Sequence, residues 1–298
     1  MKKPPQNSVP LFCARWPAAL LLALFFGTAV SALAQEQKPV VFVSIPPQLW
    51  LVKQIAGDTA EIQTLLPLGA NPHTFEPTVK QTKKLSEASL ILTIGLAFER
   101  QIVKRAQSLN PKLTIAPMDA GIEKLNAHEG HRHAPGEQCS GDEGDPHIWL
   151  SPRLYAMMAS NTTAALSHLL PEARAGFEAR RDAVVSEIQK IDAELQRTFE
   201  SLPVKTYVVY HPSWTYFAKD YGLTLLVIEQ DGKTPAAKHL ASISEKAKAA
   251  GVRKVLTEPQ YDKRPAQVIA KQLGASVSVI STLQEDWPAL MREAAKAF

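Results

Sequence analysis

The chain has 298 residues, of which 45% are hydrophobic, and a formal net charge of +4 at pH 7. Its length exceeds what one hydrophobic core ordinarily holds, so two domains are expected. Three of its cations, Lys2, Lys3 and Arg15, lie near the amino terminus, and without residues 1–34 the charge falls to +1, with 30 basic and 29 acidic side chains. The rest of the chain lacks the basic footprint of nucleic-acid binding, so no nucleic-acid partner is expected.

Residues 1–34 have the pattern of a secretory signal peptide. The three cations precede an apolar stretch at 16–30, and Ala32-Leu33-Ala34 then supplies a small-residue cleavage site. The stretch is shorter than the roughly 20 residues that a membrane span requires. Cys13 lies before the apolar stretch, whereas a lipid-modified cysteine would follow it. We therefore predict a cleaved signal, a mature chain that starts near Gln35, and a protein that is free in the periplasm.

From residue 40 onward, short apolar runs alternate with amphipathic stretches, and this alternation predicts two α/β units. In the first unit, strands are expected at 40–45, 62–66, 90–94 and 113–115, and helices near 48–56, 77–87 and 98–109. In the second unit, strands are expected at 207–210, 223–228, 254–256 and 277–280. Strands that alternate with helices at this spacing predict a parallel sheet in each unit.

A long helix is predicted at 171–200, between the two units. Pro171 suits the first helical position, and apolar side chains follow at helical spacings. These are Phe177, Val184, Ile188, Ile191, Leu195 and Phe199. At about 1.5 Å per residue the helix would run roughly 45 Å, long enough to pack along both units. The alternative is an ordinary core helix of one domain. We interpret the helix at 171–200 as a stiff connector between an amino-terminal lobe at 35–170 and a carboxy-terminal lobe at 201–298.

Residues 119–146 have little apolar content and are predicted to form a surface loop. The loop contains three closely spaced histidines, His128, His131 and His133. Histidine-rich tracts can bind a metal ion loosely. A solvated loop that is rich in histidine by chance remains an equally open interpretation.

Three other histidines each lie beside a proline, in Asn71-Pro72-His73, Asp145-Pro146-His147 and His211-Pro212. Proline fixes its own φ and restricts the preceding residue, so each imidazole is attached to backbone with few alternative conformations. His73 and His211 also follow predicted strands, and open parallel sheets bind ligands beyond the carboxyl ends of their strands. Any one of these side chains alone could be a surface or hydrogen-bonded imidazole. Together they predict a metal site in the cleft between the two units.

The same motifs resemble the metal-binding receptors of bacterial zinc and manganese ABC importers, over essentially the whole mature chain. The motifs are 71–73 with Glu76-Pro77, the segment 145–152, His211 before Tyr216-Phe217, and 229–235. The resemblance implies two similar α/β lobes, each with a parallel sheet flanked by helices, joined by one long rigid helix. It also implies that His73, His147 and His211 bind the metal in the cleft, and that the partner is a membrane permease.

The fourth ligand is the point at which the chain departs from this pattern. Many relatives supply an aspartate just after the last strand, where this chain has Ser281 or Thr282. A carboxylate from that place is therefore not expected, and water is the leading replacement. Glu258, which follows the predicted strand 254–256, could reach the cleft as a fourth ligand. It could equally support the site without touching the metal.

Three imidazoles with at most one carboxylate favour Zn²⁺, because zinc accepts nitrogen ligands tetrahedrally whereas Mn²⁺ prefers oxygen. The predicted function is high-affinity capture of Zn²⁺ in the periplasm and its delivery to an ABC importer permease, by a monomer that is not an enzyme. One alternative is a receptor for Mn²⁺ or Fe²⁺ in the same family. Others are a secreted zinc hydrolase with Glu258 as its base, and an adhesin or zinc buffer that acts independently of transport. The chain has no H-E-x-x-H helix motif, no G-x-S-x-G motif and no adhesin repeat.

Overall fold

Two separate parallel sheets organise the computed structural model, which describes residues 1–2, 37–126, 144–230 and 235–298. The first sheet has the order β2-β1-β3-β4, and its strands are β1 (Val40–Val43), β2 (Glu61–Thr64), β3 (Leu90–Thr93) and β4 (Thr114–Pro117). The second has the order β6-β5-β7-β8, and its strands are β5 (Thr206–Val209), β6 (Thr224–Val227), β7 (Lys254–Thr257) and β8 (Ser276–Val279). Both sheets therefore share one topology, and the predicted fold class is confirmed.

Helices flank both sheets. In chain order they are α1 (Pro46–Ala56), α2 (Val79–Ser86), α3 (Ala97–Leu109), α4 (Pro152–Leu169), α5 (Arg174–Glu200), α6 (Thr215–Asp220), α7 (Ala237–Ala249), α8 (Arg264–Leu273) and α9 (Trp287–Ala297). Several predicted strands extend too far, and β1 shows the reason. The N–H groups of Ser44 and Ile45 each donate to Oε1 of Gln48 at 2.9 Å, so the apolar run continues into a turn after the strand has ended.

Helix α5 is the predicted long helix, although it begins three residues later than expected. Pro171 starts a separate 3-10 turn, Pro171–Ala173, and the α-helix follows from Arg174. Its buried side chains are the six apolar residues that the spacing predicted. With 27 residues the helix is about 40 Å long, and it packs against α1 and α4 of the first lobe and α9 of the second.

The apolar core is continuous between the lobes, and residues 38–298 form one compact unit. One cluster combines side chains from β1 and β3, the buried face of α5, and α9. Two indoles link its halves: Nε1 of Trp287 donates to the carbonyl of Trp149 at 2.7 Å, and Nε1 of Trp149 donates to the carbonyl of Thr282 at 2.8 Å. A smaller cluster fills the space between the second sheet and helices α7 and α8. The predicted boundaries at 170 and 200 remain a prediction.

Two predicted segments fall largely or wholly outside the described residues: the signal peptide at 1–34, and the stretch that contains His128, His131 and His133. Within the described ranges, no helix combines the length and the apolar character that crossing a membrane requires.

Candidate metal centre

Three histidine side chains converge beyond the carboxyl ends of strands from both sheets. His73 lies between β2 and α2, His147 directly precedes the 3-10 turn Ile148–Leu150, and His211 follows β5. One candidate ligand atom from each lies within 4.8 Å of the others. The ring centroids are 5.6 Å apart for His73 and His147, 4.7 Å for His73 and His211, and 5.2 Å for His147 and His211. Zinc–nitrogen bonds of about 2.0–2.1 Å need only a modest inward movement of the rings.

A tight turn positions His73. Oδ1 of Asn71 accepts the N–H of His73 at 2.9 Å, and the N–H of Thr74 donates to the carbonyl of Asn71 at 3.2 Å. The loop enters this turn through Gly69, whose φ of +79° is strained for any residue with a Cβ. The turn therefore fixes the backbone of His73, which keeps more exposed surface than the other two histidines although its imidazole packs against theirs.

Asp145 positions His147 at two points. Its Oδ1 accepts the backbone N–H of His147 at 2.9 Å and lies 2.6 Å from Nδ1 of the same residue. Burial would raise the pKa of Asp145, but the neighbouring His147 more than offsets this and lowers that pKa. The segment then leads into α4 with Ser151 as N-cap and Pro152 at the first position. Asp145 and His147 are both almost completely buried.

Glu229 plays the corresponding part for His211. Its Oε2 is hydrogen-bonded to Nδ1 of His211. The parallel register of β5 and β6 places Val209 opposite Val227, so His211 and Glu229 are opposite each other just beyond the two strands. The other ring nitrogen of His211, Nε2, is buried without a hydrogen-bond partner among the described residues. A buried polar atom of this kind needs a partner, and a metal ion can supply one.

These contacts determine which nitrogen each ring offers. A carboxylate can only accept, so in the neutral form of His147 and of His211 the proton is on Nδ1 and Nε2 keeps its lone pair. For His73, burial of the imidazole and the proximity of His147 and His211 lower the pKa to about 3. The ring is therefore neutral at physiological pH, which is the form that binds metal.

Glu258 lies outside this group of three histidines. Its Oε1 accepts the hydroxyl of Ser213 at 2.6 Å, and its Oε2 accepts the amide of Gln260 at 2.6 Å and the hydroxyl of Thr282 at 2.9 Å. The carboxylate is 3% exposed. Thr282 is thus turned towards Glu258, and the hydroxyl of Ser281 accepts the N–H of Leu283 at 3.3 Å.

Sequence reasoning did not assign roles to Asp145, Glu229 or Tyr261. Asp145 could have been recognised from its position two residues before a histidine, where a carboxylate easily reaches the following backbone and ring. Glu229 could be found only with the strand register. The ring of Tyr261 lies 5.1 Å from that of His211, and burial together with Glu258 and Glu229 raises its pKa. Nothing in the sequence around Tyr261 indicates this contact.

Comparison with known proteins places these features in a family. Residues 41–298 match the profile of the ZnuA family, described as the periplasmic zinc-uptake complex component A. The chain is 27% identical over 281 residues to the zinc-binding protein AdcA of Streptococcus pyogenes serotype M3, covering 89% of this chain and 55% of that protein. It therefore spans about half the length of the first curated relatives it matches. It is also 26% identical over 284 residues to the high-affinity zinc uptake system protein ZnuA of Bacillus subtilis strain 168, covering 91% and 89%.

Solved structures agree with the fold. A crystal structure of ZnuA superposes with a TM-score of 0.80 at 32% identity and covers 87% of this chain and 97% of its own. A ZnuA deletion mutant with zinc bound gives a TM-score of 0.78 at 33% identity and covers 87% and 96%.

Proposed function

Because the chain belongs to the ZnuA family of periplasmic zinc-uptake components, we propose that it captures Zn²⁺ outside the cytoplasm and delivers it to the permease of an ABC importer. In this proposal His73, His147 and His211 bind the ion and a water molecule completes a tetrahedral site. The protein acts as a free periplasmic monomer after removal of residues 1–34, and it catalyses no reaction.

The convergence of the three imidazoles carries this proposal. They come from distant parts of the chain, yet one candidate ligand atom of each lies within 4.8 Å of the others. In two of them a buried carboxylate holds Nδ1 and leaves Nε2 for the ion. This histidine–carboxylate arrangement is the usual support of histidine ligands at metal sites.

The donor set favours zinc over manganese. Three neutral nitrogens suit the tetrahedral preference of Zn²⁺, whereas Mn²⁺ stands lowest in the divalent affinity series and prefers oxygen ligands. The carboxylate that could have supplied oxygen, Glu258, accepts hydrogen bonds on both of its oxygens. The same contacts argue against a zinc hydrolase, because a general base must reach the attacking water.

Competition calorimetry with the purified protein tests the binding proposal. We expect one tight Zn²⁺ site and much weaker Mn²⁺ binding, and we expect His73→Ala, His147→Ala and His211→Ala each to weaken Zn²⁺ binding strongly. His168→Ala, at an exposed position on α4 outside the cluster, is the matched control. Equal or tighter Mn²⁺ binding, or a cluster variant that binds Zn²⁺ as tightly as the wild type, would overturn the proposal.

Growth in zinc-limited medium tests the transport role. In a strain that lacks its own receptor, the wild-type gene should restore growth and His147→Ala should not. If the two genes support growth equally, zinc delivery is not the function of this protein. An esterase or peptidase assay on the zinc-loaded protein tests the hydrolase; turnover that is lost in Glu258→Gln would favour the enzyme.

A further inference from the structure

The hydroxyl of Tyr216 joins two segments of the chain beside the metal centre. Tyr216 lies in α6 and is 3% exposed. Its hydroxyl accepts the N–H of Leu125 at 2.9 Å and donates to the carbonyl of Asp145 at 2.7 Å. The N–H of Asp145 donates in turn to the carbonyl of Leu125 at 2.7 Å. The three residues therefore form a closed cycle of hydrogen bonds.

The phenol is the only member of this cycle that donates and accepts through one atom. A backbone N–H can only donate and a carbonyl can only accept, whereas a tyrosine hydroxyl does both. Phenylalanine at this position would therefore remove two hydrogen bonds at once, one from Leu125 and one to Asp145. The direct bond between Leu125 and Asp145 would remain, so the substitution would loosen this junction without opening it.

Asp145 links the cycle to the metal centre. Its carbonyl accepts the hydroxyl of Tyr216, while Oδ1 of its side chain accepts the backbone N–H of His147 at 2.9 Å and lies 2.6 Å from Nδ1 of the same residue. Groups behind a histidine ligand fix the orientation of its ring. A shift in the backbone of Asp145 would therefore displace the imidazole of His147 as well.

Helix α6 also holds the other end of the segment that carries His147. Oδ2 of Asp220 accepts the hydroxyl of Ser151, which is the N-cap of α4. Tyr216 and Asp220 are four residues apart and therefore lie on one face of α6. His147 is thus bracketed by two contacts to a helix that begins shortly after His211. One short element therefore relates the positions of two candidate ligands.

We propose that Tyr216 is a positioning residue for zinc: its hydroxyl fixes the backbone of Asp145 and so keeps the imidazole of His147 in place beside that of His211. This inference rests on the proposed role of the three histidines as zinc ligands. Removal of the hydroxyl leaves every candidate ligand and both supporting carboxylates present. It should therefore speed zinc release without changing which atoms bind the ion.

Zinc release from the loaded protein into excess chelator, followed by stopped flow, tests this proposal. Tyr216→Phe keeps the buried ring and removes only the hydroxyl, so release should be about three- to tenfold faster, the range expected for one net hydrogen bond. The d–d absorption of the Co²⁺-loaded variant should keep its wild-type intensity, because the ligands are unchanged. An unchanged release rate, or the Co²⁺ spectrum of a site that has lost a ligand, would overturn the inference.

Tyr221→Phe is the matched control. The Tyr221 side chain is buried at the end of α6, and its hydroxyl donates to Oδ1 of Asp192, on α5, at 2.7 Å. Both variants should lower the free energy of unfolding of the metal-free protein to a similar extent, but only Tyr216→Phe should speed zinc release. Equal acceleration in the two variants would mean that a general loss of stability is the cause, and the positioning role would be wrong.

A double-mutant cycle with Asp145→Asn checks that the effect passes through Asp145. In that background Tyr216→Phe should accelerate release less than it does in the wild type, and effects that simply multiply would contradict the inference. His147→Ala separates the two proposals. If it loses tight zinc binding while Tyr216→Phe releases zinc at the wild-type rate, only the inference about Tyr216 fails; if His147→Ala binds zinc as tightly as the wild type, the proposed function fails as well.

Discussion

Oδ1 of Asp145 lies 2.6 Å from Nδ1 of His147 and also accepts the backbone N–H of that residue at 2.9 Å. One carboxylate therefore sets both the position of the histidine and the nitrogen that it offers. The proline between the two residues fixes the backbone over which this double contact forms.

Asp145→Asn should weaken zinc binding about 10- to 100-fold, the usual effect of losing a carboxylate behind a histidine ligand. The asparagine oxygen can still accept the backbone N–H, so the fold should persist while the imidazole loses its charged partner. The measurement is zinc affinity by competition with a chromophoric chelator. Asp182→Asn, at an exposed position on α5, controls for the loss of one negative charge; equal affinities in the two variants would contradict the assigned role.

The lowered pKa of His73 predicts a pH dependence for the stability of the metal-free protein. In the unfolded chain the imidazole is protonated below its ordinary pKa of 6.5, whereas in the folded protein this requires a pH of about 3. As pH falls from 6.5 towards 3, the unfolded state gains a proton that the folded state does not, so stability is lost across this window. Above pH 6.5 this contribution is fully present.

His73→Asn removes this titration. The stability of the variant relative to that of the wild type should therefore be higher at pH 4.5 than at pH 7.5. Urea unfolding at both pH values measures the difference, and His168→Asn, outside the cluster, controls for the loss of an imidazole. A difference between wild type and His73→Asn that is the same at both pH values would show that His73 titrates normally.

Glu258→Gln distinguishes a metal ligand from a structural carboxylate. The substitution places an amide NH₂ among three donors, from Ser213, Gln260 and Thr282, so at least one buried group loses its acceptor. We expect the free energy of unfolding of the metal-free protein to fall by about 1–3 kcal/mol and zinc affinity to stay close to that of the wild type. A large loss of affinity with unchanged stability would instead identify Glu258 as a ligand.

The sequence predicted that the three histidines lie close together, because each is in local backbone whose geometry proline restricts and two of them follow recognisable strands. It could not predict how they are supported. Glu229 is 18 residues from His211 and meets it only because β5 and β6 pair in one particular register.

The division into lobes shows the same limit. Apolar periodicity predicted two units and a connecting helix, and both are present. The periodicity within each unit gives no information about contacts between units, such as the pairs made by Trp149 with Thr282 and with Trp287. Those contacts join the two lobes, and residues 38–298 form one compact unit.

Trp287→Phe tests whether the lobes unfold together. It removes the indole N–H that donates to the carbonyl of Trp149 at 2.7 Å and leaves space in a fully buried position, which should cost about 2–4 kcal/mol. Because the core is continuous, the whole urea transition should shift to lower concentration, with circular dichroism and tryptophan fluorescence still coincident. Leu109→Ala, at a side chain that is 66% exposed, should leave the curve almost unchanged. Two separate transitions, only one of them shifted by Trp287→Phe, would mean that the lobes are independent domains and that the indole contacts do not couple them.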